Sequence, residues 1–102
     1  MRQLLITYTL EAGSPETWHR EIEQFVSSID ADADLAGKVA YRAFRAADGT
    51  YYHLATVLDE TAGKLLNERA YFQAYTDRCE EISNGGVRVL PLEPIAETNA
   101  AQ

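Results

Sequence analysis

The chain has 102 residues, enough for one domain and not for two. Hydrophobic residues at 46% and charged residues at 25% are ordinary for a globular protein and exclude a disordered body. A formal charge of −7, with the nine basic residues scattered from Arg2 to Arg88, makes neither a nucleic-acid backbone nor an anionic membrane surface an expected partner.

The first predicted element is a strand over residues 3–10, with Leu4, Ile6, Tyr8 and Leu10 on one face and Leu5, Thr7 and Thr9 on the other. Met1 to Leu10 is too short and too polar for a signal peptide. Nowhere do ~18 apolar residues run together, as a membrane span requires, so a cytoplasmic location is expected. Ser14-Pro15 predicts a helix start: serine caps free N–H groups, and proline fits the first turn, where its missing N–H costs nothing. Trp18, Ile22, Phe25, Val26 and Ile29 then form one apolar stripe, and the helix is expected to run to about Asp30.

Residues 38–47 and 50–58 alternate on either side of Asp48-Gly49, which predicts a two-residue hairpin turn. That turn pairs Ala47 with Thr50, Phe44 with His53 and Arg42 with Ala55. Arg42, Phe44, Tyr51, His53 and Ala55 then share one face; Val39, Tyr41, Ala43, Tyr52 and Leu54 share the other. Residues 60–83 are predicted helical in two pieces, Leu65 and Leu66 anchoring the first and Phe72, Tyr75, Cys79 and Ile82 the second. Asn84-Gly85-Gly86 ends the helix, glycine being free to take the left-handed conformation. Residues 87–92 form a last strand, which Pro91 assigns to a sheet edge. Residues 1–96 are expected to form one domain and 97–102 a frayed tail.

The order β-α-β-β-α-β is the α+β ferredoxin-like plan, a four-stranded antiparallel sheet with both helices on one face. Both hairpin faces carry large apolar residues and helices can cover only one, so a homodimer joined through the open sheet faces is expected.

From Tyr52-His53-Leu54-Ala55-Thr56-Val57-Leu58-Asp59-Glu60 and Arg69-Ala70-Tyr71-Phe72-Gln73-Ala74-Tyr75, the sequence resembles the dimeric α+β barrel proteins, specifically the antibiotic biosynthesis monooxygenase-like domains. Members of that family often end the third strand in Glu-x-Trp, carry a His in the first helical piece and open the second with Ser-x-x-Phe. Here Thr56, Leu58 and Leu66 stand at the first three of those positions, and Phe72 keeps the pattern. The resemblance implies a cofactor-independent monooxygenase acting on a small aromatic, polyphenolic substrate. The alternatives are a non-catalytic dimeric barrel that binds a small apolar ligand and, further off, a haem-degrading enzyme.

Among the residues themselves, His53 is the candidate base, since its ordinary pKa near 6.5 lets it take a proton at neutral pH. Arg42, diagonal to it in the predicted register, is the candidate anion stabiliser, and Tyr51 a positioning hydroxyl. Phe44, Tyr8 and Tyr41 complete the expected substrate-binding set, with Tyr52 and Tyr75 as further possible cleft tyrosines. The plainer alternative makes His53 a hydrogen-bonded interface residue and the tyrosines core rings.

Trp18 and Cys79 read as core residues of the two helical stripes. As the only cysteine, Cys79 leaves no intrachain disulfide and no thiolate cluster. Residues 30–34 begin like a calcium loop, but Leu35 and Tyr41 stand where glycine and glutamate are needed. His19 and Glu23 share a helical face without a third ligand. No metal and no organic cofactor is therefore expected.

Overall fold

A computed structural model describes residues 1–99. It comprises β1 (Arg2–Tyr8), α1 (Pro15–Ala31), β2 (Val39–Arg45), β3 (Tyr51–Val57), α2 (Glu60–Glu68), α3 (Ala70–Ile82) and β4 (Arg88–Leu92). The strands form one antiparallel sheet in the order β2-β3-β1-β4, so β1 and β3 are central and β2 and β4 are edges. This is the α+β ferredoxin-like arrangement expected from the element order. Pro91 lies on the edge strand β4, the position a residue without an N–H tolerates. Residues 97–99 carry no regular structure; the remainder of the expected tail, residues 100–102, lies outside the described residues. Among the described residues, no helix is long and apolar enough to cross a membrane.

Local chemistry sets the helix ends. The Ser14 hydroxyl accepts from the Thr17 N–H, and Pro15 opens the first turn of α1. Trp18, Ile22, Phe25 and Ile29 bury the α1 stripe. The Asp59 carboxylate accepts from the Ala62 N–H and caps α2. Extended backbone at Arg69 (φ −73°, ψ 132°) separates the two predicted helical pieces, α2 and α3. Arg69 is held there by Asp32, which accepts from its Nε (2.8 Å) and from the Tyr71 hydroxyl (2.7 Å), and by Asp34 at 2.8 Å. The far end of α3 closes through Asn84, at φ +55°, while the Gly85 N–H reaches the Glu80 carbonyl and the Asn84 N–H the Glu81 carbonyl. The left-handed position assigned to glycine is thus taken first by asparagine, the other residue that adopts it readily.

The β2–β3 register differs from the predicted one by a single residue. Ala46, not Ala47, pairs with Thr50: the Ala46 N–H donates to the Thr50 carbonyl (2.8 Å) and the Gly49 N–H to the Ala46 carbonyl (2.9 Å). The connection is the three residues Ala47-Asp48-Gly49. Among them only Gly49 has positive φ, at +93°, whereas a two-residue turn of the expected type needs positive φ at both central residues. Asp48 instead turns its carboxylate onto the Thr50 N–H at 2.9 Å.

The pairs that result are Tyr41 with Ala55, Ala43 with His53 and Arg42 with Leu54. Because side chains alternate, Tyr41, Tyr51, His53, Ala55 and Val57 face the helices, joined across β1 by Tyr8, Ile6 and Leu4. Arg42, Phe44, Tyr52, Leu54, Leu90 and Leu92 share the opposite face. Several of these are large and exposed, Phe44 at 47%.

Candidate functional site

The centre of the helix-facing side is a hydrogen-bonded chain of aromatic side chains. His53 has no solvent exposure and is held on both ring nitrogens. Trp18 Nε1–H donates to the Tyr8 hydroxyl at 2.7 Å, and Tyr8 lies 2.9 Å from His53 Nε2. On the other side of the ring, the Tyr41 hydroxyl is 2.5 Å and the Tyr75 hydroxyl 3.3 Å from Nδ1, with 3.1 Å between the two hydroxyls.

An indole N–H only donates, so Tyr8 accepts from Trp18. We assign the Tyr8 hydrogen to His53 Nε2, which makes His53 the Nδ1–H tautomer. His53 Nδ1–H then donates to Tyr41, and Tyr41 to Tyr75. No described buried side-chain polar atom lacks a partner.

Burial governs the protonation of these groups. It pushes the His53 imidazole down to about 4, so the ring is neutral at pH 7. It raises the Tyr8, Tyr41 and Tyr75 phenols well above their usual range, so all three keep their hydrogens. It pushes the Cys79 thiol up to about 12, which leaves a thiol and not a nucleophilic thiolate.

The rings also pack. Phe25 stacks on Tyr75 with centroids 3.9 Å apart and meets Tyr41 edge-on at 5.1 Å. Trp18 stacks on the same Tyr75 at 5.5 Å.

Beside this chain lies a cavity of about 620 Å³ between the sheet and the helices α2 and α3. Leu4, Ile6, Val57, Leu66, Phe72 and Val89 supply apolar wall, and Tyr41 and Tyr75 bring the phenol end of the chain to it. Asp59, Glu60, Asp77 and Glu80, with Arg2 and Lys64, are the charged residues of the lining. His53 stands behind Tyr41 and does not line the cavity. A second cleft of about 620 Å³ lies between α1 and β2, where His19 Nε2 meets the Tyr51 hydroxyl at 2.8 Å. Among the described residues, no group of three or more His, Cys, Asp or Glu side chains could hold a metal ion.

The expected site residues therefore separate. His53, Tyr8 and Tyr41 form one bonded group. Tyr51 lies next to it, its ring stacked on Tyr8 with centroids 5.2 Å apart. Arg42 and Phe44 are on the other side of the sheet, where the Arg42 guanidinium sits 5.0 Å over the Phe44 ring. The expected neighbourhood of Arg42 and His53 is thus corrected, and the physical reason is the extra residue in the hairpin loop. Tyr75 joins His53 more closely than the stripe spacing alone predicted, and Trp18 is a core residue whose N–H also enters the chain. The need of a buried imidazole for partners on both nitrogens was the available signal, because it favours the Tyr41 side of β2 over the Arg42 side.

A sheet of this order with paired α2 and α3 over a cavity is a ferredoxin-like α+β fold. Solved structures of similar fold include proteins described as antibiotic biosynthesis monooxygenases. A variant of SnoaB, a cofactor-independent oxygenase from Streptomyces nogalater, superposes with a TM-score of 0.76 at 11% identity, over 97% of each chain. A proposed antibiotic biosynthesis monooxygenase from Caulobacter crescentus gives 0.76 at 14% identity, over 93% of this chain and 90% of that one. Rv0793 from Mycobacterium tuberculosis gives 0.75 at 13% identity, over 96% and 98%. No protein-family model matches the sequence, and no curated protein matches it.

Proposed function

We propose that the chain is a cofactor-independent oxygenase acting on a small aromatic substrate, a phenol or quinol, held in the cavity between the sheet and α2–α3. The observation that carries this reading is a cavity with a large apolar wall that is lined also by Tyr41 and Tyr75, whose hydroxyls are bonded to each other. That combination suits a flat, largely apolar molecule with an oxygen to be oriented. The fold shared with SnoaB supports the reaction class.

In this reading the chain from Trp18 to Tyr75 acts as a row of donors ending at the cavity. Hydrogen bonds in series polarise one another, so the terminal hydroxyl stabilises negative charge on the substrate oxygen more than an isolated phenol would. A substrate held as its phenolate gives up an electron to dioxygen more readily. The substrate proton is accepted by a carboxylate of the lining, Asp77 or Glu80. His53 then serves as the neutral link that polarises Tyr41, a positioning residue in place of the base expected from sequence. Arg42, turned away from the cavity, takes no part in it.

The test is oxygen uptake across a panel of quinols and anthrone-like phenols, with substrate binding followed separately by fluorescence. Tyr75→Phe is expected to slow uptake by roughly fivefold, the equivalent of one neutral hydrogen bond of about 1 kcal/mol. Binding without uptake across the whole panel would favour the second reading, a plain carrier of apolar ligands. That reading is supported by the fully satisfied, neutral His53, which does not line the cavity.

The same proposal includes a homodimer through the face bearing Phe44, Tyr52, Leu54, Leu90 and Leu92, an apolar surface that the chain's own helices leave bare. Sedimentation at micromolar concentration is expected to give twice the 11.4 kDa chain mass. A Leu54→Glu variant is expected to sediment as a monomer.

A further inference from the structure

We propose that Tyr8 is a redox-active tyrosine whose one-electron oxidation is coupled to transfer of its proton onto His53. This role is separate from ligand binding, since Tyr8 does not line the cavity.

Three features of its surroundings carry the inference. The phenol is 3% exposed and its hydroxyl lies 2.9 Å from an uncharged imidazole nitrogen, so a proton acceptor is already in contact. The Tyr8 oxygen also accepts from Trp18 Nε1–H at 2.7 Å, and that bond remains on the oxygen after the proton has left. Finally, the rings offer a separate route for the electron. Tyr8 meets Trp18 edge-on at 6.1 Å, and Trp18 stacks at 5.5 Å on Tyr75, which lines the cavity.

Tyr8 loses one electron to a one-electron oxidant, either an oxygen-centred radical in the cavity or an outer-sphere metal complex in solution. The O–H bond breaks and an N–H bond forms at His53 Nε2. The products are a neutral tyrosyl radical, an imidazolium and the oxidant reduced by one electron. An oxidised phenol is a far stronger acid than an imidazolium, so the proton moves even to a ring whose basicity burial has reduced. The excess charge does not stay on one atom, because His53 Nδ1–H can pass a proton along Tyr41 and Tyr75 toward the cavity.

The other tyrosines lack this combination. Tyr52 is exposed. Tyr71 donates to Asp32, a carboxylate whose affinity for a proton Arg69 has already lowered. Tyr41 and Tyr75 both face His53 Nδ1, which in the assigned tautomer carries the hydrogen and cannot accept a proton. Tyr51 is the nearest rival, through its contact with His19, but that imidazole is partly open to solvent.

The experiment uses the full chain. Tris(bipyridine)ruthenium(III), generated by a light flash in the presence of persulfate, oxidises the protein, and freeze-quenched samples are read by electron paramagnetic resonance. A neutral tyrosyl signal is expected, lost in Tyr8→Phe and retained in Tyr51→Phe and Tyr52→Phe. A signal that persists in Tyr8→Phe, or that vanishes in Tyr51→Phe with Tyr8 intact, overturns the proposal. Should Tyr8→Phe fail to fold, the unaltered protein decides. Electron–nuclear double resonance after exchange into deuterium oxide is expected to show two exchangeable hydrogens coupled to the radical oxygen, one from His53 and one from Trp18. Their absence overturns the proposal. No substrate is needed, so the outcome is independent of whether the cavity oxygenates a phenol.

Discussion

The burial of His53 sets a measurable pH dependence of stability. In the unfolded chain the imidazole titrates near its ordinary value of 6.5; in the folded protein burial holds it near 4. Between those values the unfolded state binds the proton and the folded state does not, so acid favours unfolding. The contribution is fully present above the unfolded pKa and is lost as pH falls toward the folded one. The drop from 6.5 to about 4, at ~1.4 kcal/mol for each tenfold change in proton affinity, amounts to about 3 kcal/mol. Against a total stability of about 5–15 kcal/mol for a domain, that loss is large.

Carboxylates titrate in the same window, so the experiment is a comparison. Urea unfolding of the unaltered protein and of His53→Gln, an uncharged side chain that still offers a donor and an acceptor, is followed from about pH 7.5 to about pH 4. The two midpoint curves are expected to converge on acidification by about 1–3 M urea, the loss of about 3 kcal/mol divided by a slope of about 1–3 kcal/mol per molar urea. Parallel curves over the whole range would mean that His53 titrates alike in both states, and the argument from burial would fail.

Three further outcomes follow from the packing. Phe25→Ala removes the ring stacked on Tyr75 and edge-on to Tyr41, and is expected to cost about 3–5 kcal/mol in thermal or urea unfolding, with a neutral result excluding the stack as core. Gly49→Ala places a Cβ at φ +93° and is expected to cost about 1–2 kcal/mol, although nothing lies within 4 Å of that Cβ, so the loss would be backbone strain alone. Asp32→Asn removes the carboxylate that, second to burial, pushes the Tyr71 phenol up to about 12. Carbon-13 resonances of labelled tyrosine should show Tyr71 titrating lower, yet still above its ordinary value because the burial remains.

Much of the architecture was legible because local chemistry and tertiary need agree. Ser14-Pro15, the stripe of α1, the terminator at Asn84-Gly85 and the edge character of Pro91 each have a physical reason that acts within a few residues. The site was less legible because it depends on a register. Asp48-Gly49 fits a two-residue turn and a three-residue loop equally well, since both ask for positive φ at Gly49. They differ in the conformation of Asp48, which its neighbours along the chain do not dictate. That one difference decides whether His53 faces Arg42 or Tyr41. Trp18 was hidden for another reason: an indole at a core position packs by its ring, and nothing in helical spacing reveals where its N–H points.

The break at Arg69 leaves α2 with nine residues, fewer than the ~12–15 at which a helix begins to hold its shape unaided. Its Asp59 cap and its buried Ala62 and Leu66 are what keep it formed, and Leu66 is also cavity wall. α1, which also reaches the cavity through Phe25, has 17 residues and the Ser14 cap to hold it. The wall opposite the sheet is therefore the compliant one. A guest that fills the space beside Leu66 adds to the contacts on which this helix depends, so occupancy would be written in the slowed amide exchange of α2 while the sheet beneath it stays as it was.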